Sequence, residues 1–171
     1  SFMLIASMNP CPCGFYNHPE KECLCGASIV QKYLNKISGP LLDRIDLHVE
    51  VTPVKFEELS KDKKSEASHL IRKRVIEARQ RQTDRYAEMP QIHCNAQINP
   101  KQIRQFCTLS KTSQELLKKA MQKLDLSARA YDRILKVART IADLEASSDI
   151  QTTHIAEAIQ FRSLDRGDWA G

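Results

Sequence analysis

From Pro53 onward the chain runs from one helix-start signature to the next and holds nothing that reads as strand, which limits most of it to packed helices. Lys63 to Glu88 has no Gly or Pro. Within it Ala67, Leu70, Ile71, Val75, Ala78, Gln82 and Tyr86 recur every three or four residues, which gives a long helix one face to bury. Its other positions carry Arg72, Lys73, Arg74, Arg79, Arg81 and Arg85, either a solvated face or a surface for nucleic acid or an acidic neighbour. Asn99-Pro100 supplies an N-cap and a proline at the first helical position, so Lys101 to Cys107 is expected to be a short helix. Thr112-Ser113-Gln114-Glu115 reads as a capping box opening a helix with Leu116, Leu117, Ala120, Met121 and Leu124 on one side. Ser127 caps the next, which runs to about Ala146 and offers Tyr131, Ile134, Leu135, Ala138, Ile141 and Ala142 to the core. Thr152 or Thr153 caps the last, whose apolar side is Ile155, Ala156, Ile159 and Phe161, and Asp165 to Gly171 is expected to fray.

Ahead of Pro53 the pattern changes. Phe2 to Ser7 is a short apolar run with the length of a buried strand, and Leu47-His48-Val49-Glu50-Val51 alternates apolar and polar as a strand does. Two strands make a poor sheet, and their backbone groups need partners from elsewhere. The chain therefore reads as mainly α, the C-terminal part of a larger α/β protein, with a sheet-domain remnant over 1–53 and a helical domain over 54–171. Its 171 residues, 42% of them hydrophobic, suffice for one substantial core or two small ones. No apolar run approaches the roughly 18 residues of a membrane span, and a net charge of +5 is too small to identify a partner.

Four of the six cysteines, Cys11, Cys13, Cys23 and Cys25, fall within fifteen residues of one another in the Cys-, Gly- and Pro-rich stretch 10–26. With no signal peptide in view, the expected compartment is the reducing cytoplasm, where grouped thiols serve as metal ligands more often than as disulfides. Four thiolates are the set that structural, tetrahedral zinc takes. The C-x-C spacing departs from the common C-x-x-C knuckle, but an extended C-x-C turns both side chains to one face and the nine residues between the pairs can double back. Such a site is closed: it staples a loop and leaves no position for water. A thiol-rich loop without metal, a disulfide arrangement, and His18 in place of one thiolate are the alternatives.

Three further positions stand out. Asn9 ends the first run, where an α/β protein meets its ligand, although an Asx turn before Pro10 explains it as simply. Arg44 lies in Gly39-Pro40-Leu41-Leu42-Asp43-Arg44-Ile45-Asp46, between apolar anchors and a strand. It suits either a phosphoryl group or a surface ion pair with Asp43 or Asp46. Arg129 sits in the first turn of the helix capped by Ser127, where a cation opposes the helix dipole unless an anion or solvent relieves it.

Three ordered stretches then carry a resemblance over essentially the whole chain: Phe2 to Gly14, Ile37 to Asp46, and Leu126-Ser127-Ala128-Arg129-Ala130-Tyr131. Together they closely resemble the magnesium-chelatase-like AAA+ ATPases of the ComM (YifB) type. The resemblance implies that Asn9 matches the sensor 1 Asn, Arg44 the arginine finger that reaches the nucleotide of the adjacent subunit, and Arg129 the sensor 2 Arg of the helical lid. It makes the four-cysteine loop an insertion between sensor 1 and the finger, and 54–171 the lid. It further implies a homo-oligomeric, hexamer-type ring that hydrolyses ATP with Mg²⁺ and acts on DNA as a branch-migration helicase in natural transformation. No GxxxxGK[ST] phosphate loop and no Mg²⁺-holding acidic strand end occur in these residues, so they are not expected to hydrolyse ATP alone. Three rival readings stand beside the motor: a magnesium chelatase ATPase subunit, a non-enzymatic zinc module that binds DNA through Arg72 to Arg85, and a helical adaptor.

Overall fold

The computed structural model describes residues 2–52, 54 and 65–162. Its helices are α1 (Ala27–Leu34), α2 (Gly39–Leu42), α3 (Ser68–Arg85), α4 (Pro100–Phe106), α5 (Lys111–Lys123), α6 (Ala128–Leu144) and α7 (Thr152–Gln160), with a 3-10 turn at Asn95–Gln97. The expected frayed tail, Asp165 to Gly171, and the predicted start of the long helix at Lys63 lie outside the described residues. None of the described helices is long and apolar enough to cross a membrane.

The core is organised around α6, which packs against α3, α4, α7 and the 3-10 turn, while α5 packs on α7. Its sequence explains why. Ile134, Leu135 and Ile141 project into the core, and Ala130, Ala138 and Ala142, buried beside them, let neighbouring backbones approach closely. Ile98, Ile103, Leu117, Ile150 and Ile155 close the cluster from the other elements. Burying one such aliphatic side chain contributes about 1.5–3 kcal/mol.

The helix caps obey local rules in part. Asn99 accepts hydrogen bonds from the N–H groups of Lys101 and Gln102, and Gln102 Oε1 accepts from Asn99 N–H in return. Ser127 Oγ accepts from Ala130 N–H. The expected box at Thr112 is displaced: α5 is capped by Ser110, whose Oγ accepts from Ser113 N–H, and the fully buried Ser113 hydrogen-bonds Thr152 across to α7. The cap that forms is itself local, two residues earlier than expected. The cap of α7 is Gln151, not either threonine, with His154 Nδ1 accepting from Gln151 N–H. Tyr131, expected in the core, is 41% exposed.

Two strand expectations are overturned. Among the described residues no strand forms, and the one ladder contact is an isolated parallel bridge between Leu109 and Ile150. Phe2, Met3, Leu4 and Ile5 are exposed, as an apolar run must be when no neighbouring strand covers it. In Leu47–Val51 no alternation survives: His48 alone is buried, while Leu47, Val49, Glu50 and Val51 are exposed. Hydrogen bonds explain the burial of His48, because its N–H donates to Phe161 O at 2.9 Å and its Nε2 lies 3.2 Å from Leu42 O. The segment is bound to the helices and not to a sheet.

The long helix is also buried over less of its length than its periodicity implies. Ala78, Gln82 and Tyr86 are buried, but Leu70, Ile71 and Val75 remain substantially exposed. Its basic face is divided in use. Arg74 pairs with Glu66, Arg81 donates to the Asp143 carbonyl, and Arg85 grips the Asp143 carboxylate with both terminal nitrogens.

Candidate functional site

The four clustered cysteines are gathered by the turn they start. Gly14 N–H donates to Cys11 O at 3.0 Å, and Gly14 itself has φ +82°, a left-handed conformation suited to glycine, which reverses the chain just after Cys13. The second pair returns across the first: the Sγ atoms of Cys11 and Cys13 are 3.3 Å apart, those of Cys13 and Cys23 3.5 Å, and those of Cys11 and Cys23 3.7 Å. All four sulfurs, that of Cys25 included, lie within 4.8 Å of one another. A tetrahedron of zinc–sulfur bonds of about 2.3 Å has edges of about 3.8 Å, so this spacing fits a four-thiolate ion and is far too long for disulfide bonds of about 2.05 Å.

The surroundings favour anionic sulfur at one of the four thiols. The Phe15 backbone, followed by the neighbouring Cys11 thiol, brings Cys13 down to about 6. Cys23 goes the other way, to about 12: the Cys25 backbone lowers it, but burial and the adjacent Cys13 and Cys11 thiols outweigh that. Crowded thiols give up one proton readily and the next reluctantly, which is the situation a divalent cation relieves. Tyr16 N–H also donates to Cys11 Sγ. His18 lies outside the four-sulfur cluster, and its Nδ1 accepts the N–H groups of Glu20 and Lys21. Behind the thiols Cys11 packs with Val30 and Leu34 of α1, a second small core separate from that around α6.

The other three candidate positions are not brought together: Asn9, Arg44 and Arg129 are each exposed, and no hydrogen bond joins any two of them. Asn9 lies in irregular chain two residues ahead of Cys11. Arg44 follows α2, where Pro40 occupies the first turn and Leu42 is buried, and its Nη1 donates to Pro40 O. Of the two acids offered as ion-pair partners for Arg44, Asp43 and Asp46, Asp46 is engaged instead by Arg133 of α6. Arg129 stands in the first turn of α6, one helical turn before Arg133.

Sequence reasoning missed the residues that hold these segments. Arg162, 1% exposed, donates to the carbonyls of Ile45 and Leu42 from the far end of the chain. Asp143, 0% exposed, is gripped by Arg85, Arg139 and Asn95 Nδ2. Burial alone would raise the Asp143 carboxyl, but the hydrogen bonds from Arg85 and Asn95 prevail and hold it below its ordinary value. Local pattern marks each of these residues only as polar.

The family described as magnesium chelatase, subunit ChlI C-terminal, matches residues 65–162, and the companion description, magnesium chelatase, subunit ChlI, matches residues 1–59. The chain belongs to the magnesium chelatase ChlI family. Within that family it resembles the ComM type. It is 39% identical over 166 residues to YifB of Salmonella typhimurium and likewise to the competence protein ComM of Haemophilus influenzae, each match covering 96% of this chain. It is 32% identical over 161 residues to Rv2897c of Mycobacterium tuberculosis. The chain spans about a third of the length of these relatives, 31% in each case. As a ChlI-family chain of ComM type, it carries its α6-centred helices in the portion matched by the C-terminal description.

Proposed function

We propose that these residues form the C-terminal part of a ring-forming, ATP-hydrolysing DNA motor of ComM type, acting in the cytoplasm. In this reading 1–53 completes an AAA+ core and 54–171 is its lid. ATP and Mg²⁺ are held by a phosphate loop and an acidic strand end supplied elsewhere in the protein. Asn9 acts as sensor 1, orienting the attacking water or the γ-phosphate. Arg44 acts as an arginine finger in the active site of the adjacent protomer, its fixed positive charge stabilising the charge that develops on the γ-phosphoryl oxygens. Arg129 acts as sensor 2, its guanidinium answering to nucleotide at the start of α6. Cys11, Cys13, Cys23 and Cys25 hold a structural zinc ion that staples the loop between sensor 1 and the finger.

The observation that carries the reading is Arg44: an exposed guanidinium on a segment tied down on both sides, at the Leu42 and Ile45 carbonyls by Arg162 and at Asp46 by Arg133, in a chain of this family. A fixed, solvent-facing cation is what a finger acting across a boundary requires. The resemblance to a competence protein supports DNA as the substrate of movement. The chelatase-subunit reading is favoured by the family's own description. The four-cysteine loop is not expected there, so zinc in the purified protein supports the ComM side.

The test is subunit mixing in the full-length protein. Arg44→Ala should lower ATP turnover by about 10³-fold or more. Mixing that variant with one lacking its phosphate-loop Lys should restore partial turnover, since each supplies what the other lacks. Failure of every mixing ratio to rescue would show that Arg44 does not act in trans.

A further inference from the structure

We propose that Arg133 and Arg162 are positioning residues for Arg44, and that α6 thereby links the nucleotide sensed by Arg129 to the finger offered to the neighbouring protomer. This rests on the roles given to Arg44 and Arg129 above.

Residues 42–48 have little core of their own: Leu42 and His48 are buried, while Arg44 and Leu47 are exposed. What fixes them is polar and comes from the helices. Arg162 donates to Ile45 O and to Leu42 O, two carbonyls that bracket Arg44. Arg133 of α6 closes an ion pair on Asp46, two residues past Arg44. His48 N–H donates to Phe161 O, directly before Arg162. A closing apolar contact at position 162 would require only a Leu or Met. A guanidinium that is 1% exposed and spent on two backbone carbonyls instead sets the path of the chain between them.

Arg129 and Arg133 are four residues apart on α6, hence one turn and about 6 Å apart along the same side of a rigid element. A displacement of α6 that follows Arg129 toward nucleotide therefore carries the partner of Asp46 with it, and Arg44 with Asp46. One helix then spans two nucleotide sites, its own through Arg129 and the neighbour's through Arg44.

The Asp46 and Arg133 side chains are 48% and 28% exposed, so exchanging their charges leaves the core untouched. In the full-length protein, Asp46→Arg and Arg133→Asp should each lower kcat for ATP about tenfold or more, as expected for a misplaced charged group. KM for ATP should stay within about twofold, because binding at the variant's own site is not disturbed. The doubly exchanged protein should recover kcat to within about threefold of the parent.

Single variants with parental kcat, in a protein where Arg44→Ala abolishes turnover, would overturn the coupling and leave the finger role standing. If Arg44→Ala itself leaves turnover intact, both readings fall. A double exchange that restores the melting temperature but not kcat reduces the pair to a structural contact and also overturns the proposal. Should an exchanged protein fail to fold, Arg162→Lys, which keeps the charge and loses the fork, decides: a similar fall in kcat at constant KM supports the coupling, and parental kcat rejects it.

Discussion

Cys11 joins two roles in one side chain. Its sulfur meets those of Cys13 and Cys23 and accepts the Tyr16 N–H, while the residue, fully buried, packs on Val30 and Leu34. Serine at this position keeps the volume but removes one of the four sulfurs proposed to hold zinc. Cys11→Ser should therefore lower bound zinc from about one ion per chain to under about a tenth, measured by elemental analysis after gel filtration, with Cys94→Ser as the unaffected control. Cysteine spacing was sufficient to foresee this gathering because the ligands are close in sequence and one glycine turn brings them round. Arg162 was not foreseeable in the same way, since its partners, Leu42 and Ile45, are more than a hundred residues earlier.

At the scale of elements, the joint between α3 and α6 is an ionic network in place of an apolar seam. Arg85 and Arg139 converge on Asp143, Asn95 donates to the same carboxylate, and Tyr86 donates to Asn95 Oδ1. Removing the anion would strand two guanidinium groups, so Asp143→Ala should destabilise the folded chain by roughly 3–5 kcal/mol in denaturant titration. The sign with pH is fixed by the lowered carboxyl. The stabilisation is complete above an aspartate's ordinary 3.8 and is lost as pH falls through the still lower folded value. The parent should accordingly lose stability more steeply below about pH 4 than Asp143→Asn does, as read by melting temperature against pH. The helix positions were legible because caps and periodicity are local. The start of α5 was misplaced by two residues because Ser110 and Thr112 are both good cap residues, and it is Ser110 that takes the Ser113 N–H.

At the scale of the molecule, the described residues form two cores of unequal size, the cluster around α6 and the small one of Cys11, Val30 and Leu34 under the thiol loop. On the zinc proposal, the smaller buries too little to stand without a metal staple. Stripping zinc with a chelator should therefore raise hydrogen exchange across residues 11–34 while leaving the melting of the α6-centred helices within about 2 °C. A melt that collapses in one step on chelation would show instead that the two cores are a single cooperative unit. Residues 42–48 are the bridge to the larger core, held from α6 and from the turn after α7.

By itself the sequence determined what depends on neighbours along the chain: the succession of helices beyond Pro53, the caps at Asn99 and Ser127, the apolar stripe of α6, and a four-thiol loop. Only the tertiary structure decided that Leu47–Val51 turns His48 inward, that Asp46 belongs to Arg133, and that Arg85 faces Asp143. The physical reason is the same in each case. A cap or an apolar period is satisfied within one or two turns, whereas a buried charge or an extended backbone is satisfied by whichever partner folding brings to it, and that partner carries no local mark.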